Sequence, residues 1–352
     1  MKRAKHHLIL GIVGTVAAMF VALTPPNSLG ETLDLAGEWH FALDTKNVGM
    51  TESWFHRDLT NQIRLPGCLQ EQGFGDKPGP DTIWWVGWTN RGRLAPEFPF
   101  LARYYIPTNF TTFAFLLPER HYVGAAWYAR EVEIPPHWQG QHISLHLERC
   151  LWETRVWVDG ESAGRNDGFA VAHRYDLSRL LAPGRHRLVI RVDNDRIADI
   201  GGNGLADLDQ AAETRNGIVG RIELRASPVA WMDNVRVFPN VARRSARVVV
   251  TIRNRLAGSG EGTLTIEGQA FNTARAHRVP LQRFDAAVTG EESLVEAEFR
   301  LGDEAQLWEE FSPALYRLTL RLSCTIGDRG ADDTAEVSFG LREFTSKAPA
   351  SR

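Results

Sequence analysis

The sequence predicts an all-β protein made of two sandwich domains in series. Three observations predict it. Apolar residues recur with period two through most of the chain, as in half-buried strands. The runs are short and broken at Gly, Pro, Asn or Asp. The 352 residues suit two ordinary domains rather than three.

The chain starts differently from its body. Met1 to His7 is basic, Leu8 to Leu23 is apolar without a charge, and Thr24-Pro25-Pro26-Asn27 breaks any helix. This is the plan of a signal peptide. Ser28 and Gly30 supply small side chains for a cut after Gly30, so residues 1–30 are expected to be removed and the remainder exported, to periplasm or exterior. The apolar run is shorter than the ~20 residues that span a bilayer, and no later segment reads as a span. Residues 31–227 and 228–341 are the two expected sandwiches, with the join near Ala226-Ser227-Pro228.

In the first domain, His142 to Glu148 alternates apolar and polar residues. Arg155-Val156-Trp157-Val158 follows and meets Asp159-Gly160, a strong hairpin turn. Asp176 can cap one helical turn over Leu177 to Leu181. Arg187 to Val192 alternates again, entered through Pro183-Gly184. Such short, frequently broken strands indicate a sandwich or jelly roll. From Leu65 to Tyr122 the pattern fails. Pro, Gly and aromatics crowd a stretch of about 66–122 that reads as a functional loop or insertion.

The second domain is simpler. Arg247 to Arg253 is rich in β-branched residues; Thr263 to Ile266, Leu294 to Arg300 and Tyr316 to Ser323 alternate. This spacing predicts an immunoglobulin-like sandwich, in architecture only, because the Cys…Trp…Cys pattern of antibody domains is missing. Cys68, Cys150 and Cys324 are too few for a disulfide framework and read as buried small hydrophobes. Asn109-Phe110-Thr111 matches a glycosylation sequon, relevant only in a eukaryotic secretory host.

A formal net charge of −3, with no basic stripe, provides no field to draw nucleic acid or acidic lipid. Gly201-Gly202-Asn203-Gly204 is followed by no helix, so it is not a phosphate loop. No nucleophile-elbow context is present. His142 and His146 share a strand face with Ser144, but two imidazoles are poor evidence for zinc, and a solvent-facing strand is expected. Glu148-Arg149 and Glu153 read as surface or interface ion pairs. No metal and no cofactor is expected.

An ordered set of short motifs carries a resemblance. Ala126-Trp127-Tyr128-Ala129-Arg130 runs into Glu131 to Pro135, then Trp138-Gln139-Gly140 and Val156-Trp157-Val158-Asp159-Gly160. Tyr175-Asp176-Leu177, Arg191-Val192-Asp193-Asn194 and Gly217-Ile218-Val219-Gly220-Arg221-Ile222 follow. Upstream stand Leu35 to Phe41 and Leu65-Pro66-Gly67. Downstream stand Trp308, Ser312 to Tyr316 and Phe339-Gly340-Leu341-Arg342. Together these resemble family 2 glycoside hydrolases, the group of β-galactosidases and β-glucuronidases. The resemblance implies a galactose-binding-like jelly roll followed by an immunoglobulin-like domain. In the family, the F-G-x-R segment leads into a (β/α)₈ barrel of roughly 250 residues. Only 11 residues follow Leu341, so residues 342–352 are expected to be a stub and the barrel to be absent. Family hydrolysis uses two barrel carboxylates roughly 5 Å apart, so no catalytic residue is assigned and the chain alone is expected to be inactive.

The expected partner is carbohydrate, a β-glycoside or oligosaccharide, together with a separately encoded or lost barrel. The alternative is a free-standing exported lectin-like protein. Candidate sugar contacts are Trp84, Trp85 and Trp88, whose indoles either cover the C–H face of a sugar or pack the insertion onto the sandwich. His121 either borders the cleft or packs. Asp209, Arg215 and Asn216 lie on the loop before Gly217 with Asp207, Gln210 and Thr214. The resemblance implies that this loop reaches toward the barrel mouth and carries polar groups to the substrate or a bound cation; as residues alone it reads equally as a solvated turn. Relatives often carry Trp-Asn-Gly where this chain has Arg215-Asn216-Gly217.

Overall fold

The computed structural model describes residues 27–28, 30–79, 82, 119–169, 171–195, 197 and 215–343. Trp84, Trp85, Trp88 and Asp209 lie outside them, as do most of the expected signal segment and the sequon. The described part is β-sandwich throughout.

A short strand, β1 (Asn27–Ser28), falls inside the segment expected to be removed and pairs with the second sandwich. The first sandwich then runs through β2 (Thr32–Asp34), β3 (Gly37–Asp44), β4 (Asn61–Leu65), β5 (Gly67–Cys68), β6 (Ala125–Ile134) and β7 (His142–Arg149). It continues with β8 (Glu153–Val158), β9 (Glu161–Asn166), β10 (His173–Asp176), β11 (Gly184–Asp193) and β12 (Gly217–Ser227). One sheet has the order β10-β7-β12-β2, with β5 pairing the start of β12; the other has the order β4-β3-β6-β11-β8-β9. All ladders are antiparallel. Neighbouring strands are seldom consecutive in sequence, which makes this a jelly roll rather than a meander.

Alternation determines which face each residue meets. Ile143, Leu145 and Leu147 of β7 enter the core with Phe41, Tyr128, Val156, Ile190 and Leu224. Their neighbours His142, Ser144 and His146 face the other way. The second sheet also buries its outer face. There Trp127, Trp157 and Trp54 form a separate cluster, with Phe55 stacked on Trp157 at 5.2 Å. Asp159 and Gly160 both have positive φ, 50° and 86°, as a two-residue hairpin loop requires. Gly160 has a second constraint: a Cβ there would lie 2.0 Å from the His56 ring. The Asp176 cap forms, with Ser178 N donating to Asp176 Oδ1 at 2.9 Å before the turn closed by Leu181 N to Leu177 O.

The second sandwich is built from β13 (Ala230–Asn240), β14 (Ser245–Asn254), β15 (Gly260–Phe271), β16 (Arg278–Val288), β17 (Glu292–Arg300), β18 (Leu315–Ile326) and β19 (Arg329–Phe339). Sheets β13-β14-β17 and β1-β19-β18-β15-β16 enclose a second core, centred on Phe299, Tyr316, Leu318, Leu320 and Ile252. This is the immunoglobulin-like arrangement of three strands against a larger sheet. The first core ends with Ala226 and the second starts with Ala230. Cys68, Cys150 and Cys324 are buried and form no disulfide, two in the first sandwich and one in the second.

Two expectations change. His142 and His146 are not solvent-facing; they are 9% and 2% exposed, because the second sandwich and neighbouring arginines cover that strand face. Glu153 is also buried rather than superficial. Arg155 Nε (2.7 Å), Arg165 Nε (2.5 Å) and Arg191 Nη1 (3.1 Å) surround its carboxylate.

Candidate functional site

At the end of the first sandwich where β12 begins, four chain segments are tied by a buried polar knot. Its centre is Asn216, fully buried. Its Nδ2 donates to Gly124 O at 2.8 Å and Val192 O at 3.2 Å, and its Oδ1 accepts from the Tyr128 hydroxyl at 2.8 Å. Its backbone N donates to Gln70 Oε1 at 3.2 Å, and Leu69 N donates to Asn216 O at 2.9 Å. Asn194, also fully buried, accepts from Gly124 N at 2.9 Å and donates to Tyr122 O at 2.9 Å. Burial pushes the Tyr128 phenol well up, and burial followed by the nearby Asp44 and Asp193 charges pushes Tyr122 up, so both remain neutral.

These bonds tie together the described residues that flank two stretches lying outside the described set. One leaves the described sandwich after residue 79 and returns at 119, and Asp76 and His121 bridge its base through N–H···O bonds of 3.0 and 2.8 Å. The other leaves after Asn194 and returns at Arg215. Tyr122 and Asn216 belong to the same knot, so His121 and Arg215 are brought to one end of the sandwich. Arg215 is exposed. His121 is 9% exposed. Asn216 is shut off from solvent, and every polar atom of its amide is engaged internally, holding the chain on either side of β12's start.

Gly217, next in the chain, is required where it stands. Its φ is 140°, and a Cβ would lie 2.3 Å from Gly67 O, at the point where β12 pairs with β5. Sequence reading singled out Asn194, Asn216 and Tyr128 within motifs but did not find Gln70. Gln70 sits in an aperiodic, Gly-rich stretch where nothing marks a glutamine as buried.

Five carboxylates among the described residues are held below their ordinary range by donors. Glu148 is held below the ordinary range by the Arg221 backbone N–H, against some burial, and by the Arg221 guanidinium 3.0 Å away. For Glu153, Asp159 and Asp176 burial pulls upward but is outweighed, by Arg155 for Glu153, by the Arg187 N–H for Asp159 and by Ser178 for Asp176. Exposed Glu31 is lowered by Trp138 and His137. None of these five is raised, as a protonated catalytic acid requires.

Residues 231–342 match the family model described as "Glycosyl hydrolases family 2". The chain is 23% identical over 334 residues to a β-galactosidase of Enterobacter cloacae, covering 89% of this chain and 29% of that protein. It is 23% identical over 165 residues to a β-glucuronidase of Paenibacillus borealis, covering 47% of this chain and 21% of that one. Among solved structures, β-glucuronidase of Bacteroides uniformis superposes with a TM-score of 0.61 at 17% identity, over 89% of this chain and 32% of its own. The chain thus spans about a third or less of each of these proteins. The second sandwich is thus similar in sequence to members of glycosyl hydrolases family 2, and both sandwiches share the fold of a solved β-glucuronidase.

Proposed function

We propose that the two sandwiches serve a family 2 β-glycosidase without performing its chemistry: they bind carbohydrate at the loop end of the first sandwich and pack against a module that carries the acid and the nucleophile. The observation that supports this most is electrostatic. A retaining glycosidase needs one carboxyl group kept protonated about 5 Å from an ionised one, and Glu31, Glu148, Glu153, Asp159 and Asp176 are all driven toward the ionised state. The convergence of the residues flanking both stretches on one knot supports placing sugar contacts there, with Trp84, Trp85, Trp88, Asp209 and Arg215 as contact residues and His121 at the border. The basic–apolar–polar start supports export. The names of the relatives favour a β-glycoside as ligand.

Incubating the purified chain with a panel of aryl β-glycosides is expected to give no turnover, and titration with oligosaccharides a saturable signal weakened by Trp85→Ala or Trp88→Ala. Turnover abolished by one substitution within residues 31–341 would overturn the non-catalytic reading. Absence of any oligosaccharide signal would overturn the sugar-binding part.

A further inference from the structure

The opposite end of β12 carries a second polar site, at the junction of the sandwiches. Asn216 precedes the first residue of β12 and Ser227 is its last, so roughly 30 Å separates this place from the knot. A cleft of about 230 Å³ opens there, lined by His142, His146, Arg174 and Arg225 of the first sandwich and by Trp231 and Asp233 of the second. The His142 ring lies flat on the Trp231 indole, centroids 4.0 Å apart and planes 9° apart, which closes one wall.

The hydrogen-bonding inventory of the cleft is one-sided. Its acids are occupied. Asp176 accepts from the Ser178 N–H and hydroxyl and lies 3.5 Å from His142 Nδ1. Asp233 lies 3.8 Å from Arg253, and Glu223, beside the cleft on β12, takes Arg225 at 2.5 Å. Its donors are not occupied to match. Arg174 has no ion-pair partner among the described residues. His146 is 2% exposed, and neither of its ring nitrogens has a hydrogen-bond partner. A buried imidazole without partners is costly. Register explains its place: His146 stands opposite Arg174 on β10 and opposite Glu223 on β12, on the face turned toward the cleft.

We propose that this interdomain cleft is a binding site for a small oxyanion, an inorganic oxyanion or the carboxylate of a small organic acid, held by Arg174, Arg225 and His146. The surroundings of His146 favour this chemistry. Burial, then the charges of Arg225, Arg174 and Arg221, hold its imidazole at about 3, while Glu148 alone pulls the other way. The same positive potential that keeps the ring neutral attracts an anion, and an anion in the cleft permits the ring to take a proton and donate from both nitrogens. The ligand is held by the first sandwich beneath a wall that the second supplies through Trp231 and Asp233.

The test titrates the full chain with sodium phosphate in one arm and sodium glucuronate in the other, each against sodium chloride at matched ionic strength. Heat and Trp fluorescence are followed at pH 7 and again at pH 5.5. The expected result is saturable binding of at least one of the two anions, a raised melting temperature and tighter binding at pH 5.5. Loss of one charge-assisted contact in Arg174→Ala should weaken it about tenfold or more. His146→Phe keeps the ring shape, removes both nitrogens, and should abolish the pH dependence. Phosphate alone, or glucuronate alone, identifies which source of the oxyanion the cleft prefers. Arg174 is exposed, so its variant is expected to retain its circular dichroism and urea midpoint. No saturable response beyond chloride in either arm, or binding unchanged in both folded variants, overturns the site.

Discussion

At the scale of single residues, the knot depends on one side chain that answers to several chain segments. Asn216 supplies two donors and one acceptor at a fully buried position, and its partners lie on two other stretches of chain, the start of β6 and the end of β11. Asn216→Ala removes them together and leaves the Tyr128 hydroxyl and two carbonyls without partners. The expected cost is about 2–3 kcal/mol, read as a lower urea midpoint at unchanged slope. A loss within a few tenths of a kcal/mol would mean that these flanking residues are held by the strands alone. This residue also marks the limit of sequence reading. The Asn before a Gly-Ile turn was legible as special, but which way it faced was not. A polar residue on a loop reads as solvated unless its partners, here up to 146 positions away in sequence, are known.

At the scale of elements, strands that alternate cleanly were legible, and those carrying polar groups in the inward register were not. His142 to Glu148 and Leu294 to Arg300 match β7 and β17 nearly end to end. Strand β16 contains Pro280 and several charges, which argue against a strand; as the edge of its sheet it tolerates a missing N–H. Strand β19 reads as acidic and small, yet Ala331, Asp333 and Ala335 all point inward. Asp333 is acceptable there because its Oδ2 receives the Met232 N–H at 2.7 Å, at the bulge where β13 shifts register against β14. The acid is therefore a clamp between the two sheets of the second sandwich. Asp333→Ala is expected to destabilise this sandwich by about 1–3 kcal/mol through the orphaned N–H. Amide exchange at Met232 should quicken more than exchange at Leu320, in the middle of β18. Equal acceleration at both would show that the carboxylate has no local part. The aromatic stretch at about 66–122 breaks the periodicity of the sequence, and most of it lies outside the described residues.

At the scale of the whole molecule, two cores meet across a junction that is polar and partly histidine-lined. Each core is complete by itself. What joins them is the His142–Trp231 stack, the Arg255 guanidinium on Gln141 O at 2.8 Å, and the direct passage from β12 to β13. Acid should therefore act on this molecule earlier than its carboxylates alone would suggest. His142, His146 and His173 are all held low, by burial first in each case, with His146 down to about 3. In the unfolded chain each returns to about 6.5. The folded form thus binds fewer protons than the unfolded form below pH 6.5. The stability associated with neutral rings is full above that value and is lost as pH falls toward 3. The lowered carboxylates Glu148, Glu153, Asp159 and Asp176 add a second loss, which starts only below their unfolded values near 4. Melting temperature measured from pH 8 to pH 4 should be flat to about 6.5 and then decline across an interval that lies above the onset of loss from the lowered carboxylates. In His146→Phe the decline between pH 6.5 and 4.5 should shrink, while the fall below 4.5 persists. A wild-type profile flat down to pH 4.5 would show that the buried imidazoles reach solvent in the folded state, and that the junction is looser than its stacked rings and covered strand face imply.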